Sequence, residues 1–128
     1  MNIQPRQLFL LDGIGALFSA FMLGVILVRF ESVFGMPSDT LYFLAFLPCL
    51  FAVYDFICYF LKLENWRPFL KFIAIANVTY CIISIVEIYL HYHSLTTLGL
   101  GYFIIEIIIV FTLAMYEFSY ANKSIAIA

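Results

Sequence analysis

Charge is what this chain has least of. Lys and Arg number 6 and Asp and Glu 8 in 128 residues, 11% of the sequence, where a soluble domain carries about 25%. So few charges cannot coat the surface of a fold that is 66% hydrophobic and 20% aromatic, with a mean hydropathy of +1.08. A water-soluble globule is excluded by that balance, and the solvent this composition asks for is lipid. Basic clusters are absent and the formal net charge is −2, which argues against nucleic acid as a partner.

Cysteine and histidine are scarce too. The three cysteines, Cys49, Cys58 and Cys81, are an odd number set inside apolar runs, so they are not a disulfide framework. No Cys-x-x-Cys pair exists, which sets aside a thiol-oxidising membrane enzyme; the cysteines read as small apolar side chains. Glu87 and His91 stand four apart on one helical face, but the only other histidine, His93, points the opposite way. Two ligands do not make a metal site, and a bis-histidine haem would need its imidazoles on different helices. No cofactor is expected. Nor is an enzyme, because no nucleophile, histidine pair or ligand set converges at one depth.

What the chain does have is four long apolar stretches, at about 8–30, 41–61, 69–90 and 95–116. Each is near the ~20 residues a helix needs to cross ~30 Å of hydrocarbon. The first is longer than a signal-peptide core and is interrupted by Asp12, so it is expected to be retained. Gly35, Pro37 and Ser38-Asp39-Thr40 offer a turn and an N-cap before the second stretch. Asn65-Trp66-Arg67-Pro68 does the same before the third, with Trp66 as an interfacial anchor. Loops this short make successive helices antiparallel neighbours. The expected fold is an all-α integral membrane protein, an antiparallel up-down-up-down bundle of four transmembrane helices in a single domain.

Arg6, Lys62, Arg67, Lys71 and Lys123 fall on one side of such a bundle and Arg29 alone on the other. The positive-inside rule then places both termini in the cytoplasm, with a bacterial inner membrane as the expected location. A weak internal echo pairs Tyr42-Phe43 with Tyr102-Phe103 and Tyr54-Asp55-Phe56 with Tyr116-Glu117-Phe118. In a chain so rich in Tyr and Phe, chance accounts for it.

Polar groups inside the apolar stretches are where function would leave a mark. Asp12, Asp55, Glu87 and Glu106 are acids there, while Lys71 is the one base well inside. A lone carboxylate near the bilayer centre costs at least ~2.5–3.5 kcal/mol, so each acid must be neutralised, paired, hydrated or turned to a cavity. Counting from the centre of each stretch puts Glu106 within about 2 Å of the midplane and Asn77 about 3 Å from it. Asp55 and Asp12 come out about 6 and 9 Å towards the cytoplasm, and Glu87 about 12 Å outward, at the interface. Helical facing groups Asn77, Tyr80, Cys81, Ser84, Glu87 and His91 within about 120°. It also aligns Gly99, Tyr102, Glu106 and Glu117, then Pro48, Asp55, Tyr59 and Lys62, then Asp12, Gly15, Ala16 and Ser19. These faces should converge on one connected polar site made of Asp12, Asp55, Asn77, Tyr80, Tyr102 and Glu106. If the acids only hold the helices together, Lys71, at a similar depth, or Arg67 could pair with Asp12; Glu117 reads as an interfacial acid, and Pro48 as a kink that frees a carbonyl.

Four short helices with an acid in the first resemble the small multidrug-resistance exporters, and the resemblance implies that Asp12 would be the acid that exchanges protons for cationic drugs. It is architectural: that family's acid is normally Glu, and its later aromatic and glycine signatures have no counterpart here. The leading expectation is proton- or cation-coupled transport of a small solute through the intramembrane acids. The alternatives are a structural or accessory subunit, whose Ala16, Ala20 and Gly24 row would pack on a homo-oligomer or another membrane protein, and a lipid- or quinone-binding protein. The bilayer itself is the one partner expected in every case.

Overall fold

The computed structural model describes residues 4–61 and 64–127, the last five of these as backbone only. All regular structure among them is helical. Helix α1 (Pro5–Phe21) runs into a π-helical stretch, Met22–Leu27; a short α2 (Glu31–Phe34) follows, then α3 (Ser38–Leu61), α4 (Arg67–Leu90) and α5 (Thr97–Ile127). Four helical spans are long and apolar enough to cross a membrane: Pro5–Leu27, Ser38–Leu61, Arg67–Leu90 and Thr97–Asn122.

Three boundaries depart from the expectation for physical reasons. The last helix does not stop at residue 116, because the apolar run ends there but no Pro or Gly follows Gly101 to break the hydrogen-bond ladder. Helix α3 is capped from outside: the Glu31 carboxylate accepts bonds from Ser38 N (3.3 Å) and Ser38 Oγ (2.7 Å), in place of the expected cap by Ser38-Asp39-Thr40. Helix α4 likewise starts at Trp66 with no side-chain cap, so Asn65 does not serve as one.

The long helices form two antiparallel hairpins. A Cβ added at Gly13 would lie 3.2 Å from Asp55 Cβ, and one at Gly24 would lie 3.2 Å from Ala45 Cβ, so α1 and the π stretch run head-to-tail along α3. Gly24 therefore packs within the chain and is not part of a free small-residue face. Helices α4 and α5 pair along their length, and α3 bridges to α4 where Tyr54 Oη donates to Phe69 O at 2.8 Å. Helices α1 and α5 make no comparable contact. Close backbone approach at Gly13 and Gly24 and hydrogen bonds between helices are what hold such pairs where the surroundings are as apolar as the side chains.

Two apolar clusters divide the interior. Leu23, Leu27, Met36, Leu41, Leu44, Phe103 and the ring of Tyr80 pack towards the α2 end. Leu8, Phe9, Cys58, Leu70, Ile73 and Ala121 pack towards the other. The α2 end is stapled by the backbone: Thr96 N donates to Phe34 O at 3.2 Å, Thr96 Oγ1 to Val33 O at 2.6 Å, and Ser94 Oγ to Gly35 O at 2.9 Å. Gly35 makes this possible. Its φ is 83°, and a Cβ there would overlap the Ser94 carbonyl. Lys62 and the side chain of Lys123, two of the five bases behind the expected orientation, lie outside the described residues.

Gly35→Ala should therefore lower stability by at least about 1–2 kcal/mol from the left-handed backbone alone, with the clash in addition. Gly15→Ala, with nothing within 4 Å of the added carbon, should be close to neutral. Thermal unfolding in one detergent compares them, and equal melting temperatures for the two variants would refute the staple.

Candidate functional site: an acid-lined cavity between the first and last helices

The gap between α1 and α5 is a cavity of about 260 Å³. Asp12, Gly15, Ala16 and Ser19 line it from α1, Tyr102, Glu106 and Leu113 from α5. Pro48 and Phe51 of α3 and Asn77 and Tyr80 of α4 form its back wall. Its mouth opens sideways, framed by Phe18, Ile105 and Ile109, which are 66%, 61% and 61% exposed on the perimeter that would face lipid. Pro48 lacks the N–H that would bond the Leu44 carbonyl.

Two polar groups occupy this space. At one end Tyr80 Oη donates to Glu106 Oε1 at 3.0 Å and Tyr102 Oη to Glu106 Oε2 at 3.3 Å. Ser19 of α1 approaches the same carboxyl from across the cavity. The tyrosine rings are themselves fixed: Tyr80 stands edge-on to Phe51 with centroids 6.2 Å apart, and Tyr102 edge-on to Phe34 at 6.4 Å. A hydroxyl can donate to a carboxylate or accept from a carboxylic acid, so the two tyrosines can hold Glu106 in either protonation state without moving it.

At the other end Asn77 Nδ2 donates to Asp12 Oδ1 at 2.8 Å and to Glu117 Oε1 at 3.3 Å, using both its hydrogens. Asp55 abuts the same Asp12 carboxyl, as does Glu117, and both acids are 0% exposed. Among the described residues no base pairs with this cluster. The Arg67 guanidinium lies 4.8 Å over the Trp66 ring and the Lys71 amino group 5.9 Å over the Phe118 ring, so neither pairs with Asp12, as either could on depth alone.

Five of the six residues expected to form the site, Asp12, Asn77, Tyr80, Tyr102 and Glu106, line the one cavity. The sixth, Asp55, lies behind Asp12 and does not reach it. Glu117 is a correction: it is a buried member of the Asp12 cluster, not an interfacial acid. Its shared face with Glu106 was the available signal, and the Tyr-Glu-Phe echo of Tyr54-Asp55-Phe56 was a second. Glu87 and His91 are half-buried at the far end of α4, where His91 Nδ1 is 3.0 Å from the Glu87 carbonyl oxygen. Among the described residues no three His, Cys, Asp or Glu side chains are arranged to hold a metal ion.

Comparison with family models, with curated proteins and with solved structures found no match to this chain.

Asn77→Ala should cost about 1–3 kcal/mol for each buried acceptor it leaves without a donor. Asn77→Gln, which keeps the amide, should recover part of that. Paired thermal melts test this, and an Asn77→Ala protein as stable as wild type would show that the Asp12 and Glu117 contacts carry no weight.

Proposed function

We propose that this chain is a small multi-pass membrane protein that binds a small monovalent cation in exchange for a proton, and so couples cation movement to a proton gradient. The observation that carries this reading is Glu106, a 7%-exposed carboxyl at the wall of a cavity with no Lys or Arg among its described lining residues. A carboxyl there is neutral with its proton and anionic without it, and a cation in the cavity can stabilise the anion in the proton's place. The reversible hydroxyls of Tyr80 and Tyr102 support both states. The cavity wall is otherwise apolar, with Ala16, Phe51, Val110 and Leu113, which favours a solute with a hydrocarbon body over a fully hydrated ion. The open seam beside Gly15 and Ala16 is also where an accessory subunit or second copy would pack, which keeps the structural reading as the alternative.

Glu106→Gln keeps the shape and one set of neutral hydrogen bonds but cannot titrate. It should fold with near wild-type stability and lose pH-gradient-driven uptake of organic ammonium ions in proteoliposomes. Wild-type flux in the variant, at equal stability, would defeat the transport reading and leave the structural one.

We place both termini in the cytoplasm of a bacterial inner membrane, on the excess of Lys and Arg around the termini and the α3–α4 connection. On a chain whose native cysteines are replaced, single cysteines at Ser32 and Ser94 should then label from outside the cell. One at Ser124 should label only after permeabilisation; the reverse pattern would invert the topology.

A further inference from the structure

Hydrogen-bond supply in the Asp12 cluster is short, and the shortage can be counted. The groups that meet there are Asp12 from α1, Asp55 from α3 with Tyr54 and Cys58 beside it, Asn77 from α4 and Glu117 from α5. Asn77 supplies two N–H groups, already committed to Asp12 Oδ1 and Glu117 Oε1. Asp12 Oδ2, Asp55 Oδ1, Asp55 Oδ2 and Glu117 Oε2 are buried and receive no bond from any N–H or hydroxyl among the described residues. Buried carboxyl oxygens without donors are costly, and three adjoining carboxylates without a counter-ion would repel one another strongly in so dry a place.

The contacts are not symmetric. Asp55 and Glu117 each abut Asp12, so Asp12 is the hub. Two hydrogens, one on Asp55 and one on Glu117, each directed at Asp12, turn both contacts of Asp12 with these acids into charge-assisted hydrogen bonds.

We infer that the Asp12 cluster is a second proton-binding site, separate from Glu106, that holds two protons, one on Asp55 and one on Glu117, with Asp12 as their common acceptor and the bearer of the cluster's single negative charge. Asp12 is also the only carboxyl of the three that lines the cavity. The fixed negative charge therefore sits at one end of the cavity and the exchanging carboxyl, Glu106, at the other. A monocation entering from the side meets a permanent counter-charge at Asp12. This inference concerns the resting protein and stands whether or not the chain transports anything.

The test is infrared spectroscopy of the whole chain in lipid vesicles at neutral pH, with a heavy-carbon label on the Asp side-chain carboxyls. The label distinguishes Asp12, Asp39 and Asp55 from every Glu. The wild type should show one Asp carboxylic-acid band. Asp55→Asn should abolish it, since the new amide can still donate to Asp12. With the label moved to Glu, Glu117→Gln should remove one acid band whatever the state of Glu106. An Asp acid band that survives in Asp55→Asn would place the proton on Asp12 and overturn the assignment. If Asp55→Asn fails to fold, Asp55→Glu under the Asp label decides: the Asp acid band should vanish, its survival would place the proton on Asp12, and no Asp acid band, or two, in the wild type would contradict the count. Absence of the band together with sodium-dependent thermal stability would make the cluster a bound-cation site instead. Flux is not part of this measurement, so its failure and that of the transport reading are separately visible.

Discussion

Everything in this bundle leans on one amide. Asn77 gives its two hydrogens to carboxyls on the first and last helices, Asp12 and Glu117, and those two helices make far fewer backbone contacts with each other than either makes with its hairpin partner. In an apolar solvent a hydrophobic face gains little by turning inward, so a buried hydrogen bond between helices fixes their rotation in a way that Leu and Ile cannot. With Asp12 fixed, Asp55 behind it is fixed as well. The polar layer thus holds four helices in register at a single level.

The same tie explains why a cavity exists at all. On either side of the polar layer the chain packs densely, around Leu23, Leu27, Leu41 and Phe103 towards the α2 end and around Leu8, Phe9, Leu70 and Ile73 towards the other. Between them the small side chains of Gly15, Ala16 and Ser19 face α5 without filling the gap. Residues exposed on the outside of the bundle, Phe18, Ile105 and Ile109, are part of the lining of that space. Within this space the two carboxyl environments differ in what they can do. Glu106 faces hydroxyls that can either give or accept a hydrogen, whereas Asp12 receives one amide N–H and otherwise meets carboxyls.

A good deal of this could be read without coordinates. Helical periodicity placed Asp12, Asn77, Tyr80, Tyr102 and Glu106 on inward faces, because a face that lipid rejects must turn to protein, and the turn residues separated the four helices correctly. Glu117 was misread because hydropathy marks where an apolar run stops, while a helix stops only where something breaks its ladder. Sequence-derived depth alone would let Lys71 or Arg67 pair with Asp12, yet both cations lie over aromatic faces, leaving the acids to one another. Nothing local foretold the Glu31 cap on Ser38 or the meeting of Gly35 with Ser94, since both join residues across a connection whose path is set by the packed helices.

Composition and period by themselves determined that four helices are long and apolar enough to cross a membrane and which side of each turns inward, because the polar side chains recur at helical spacing. Only the tertiary structure decided which acids meet, which one faces the cavity, and that the gap lies between α1 and α5. Those outcomes turn on ångström-scale differences in how closely helices approach at Gly13 and Gly24, and on how few donors there are to share. Neither is a property of any one segment of the chain.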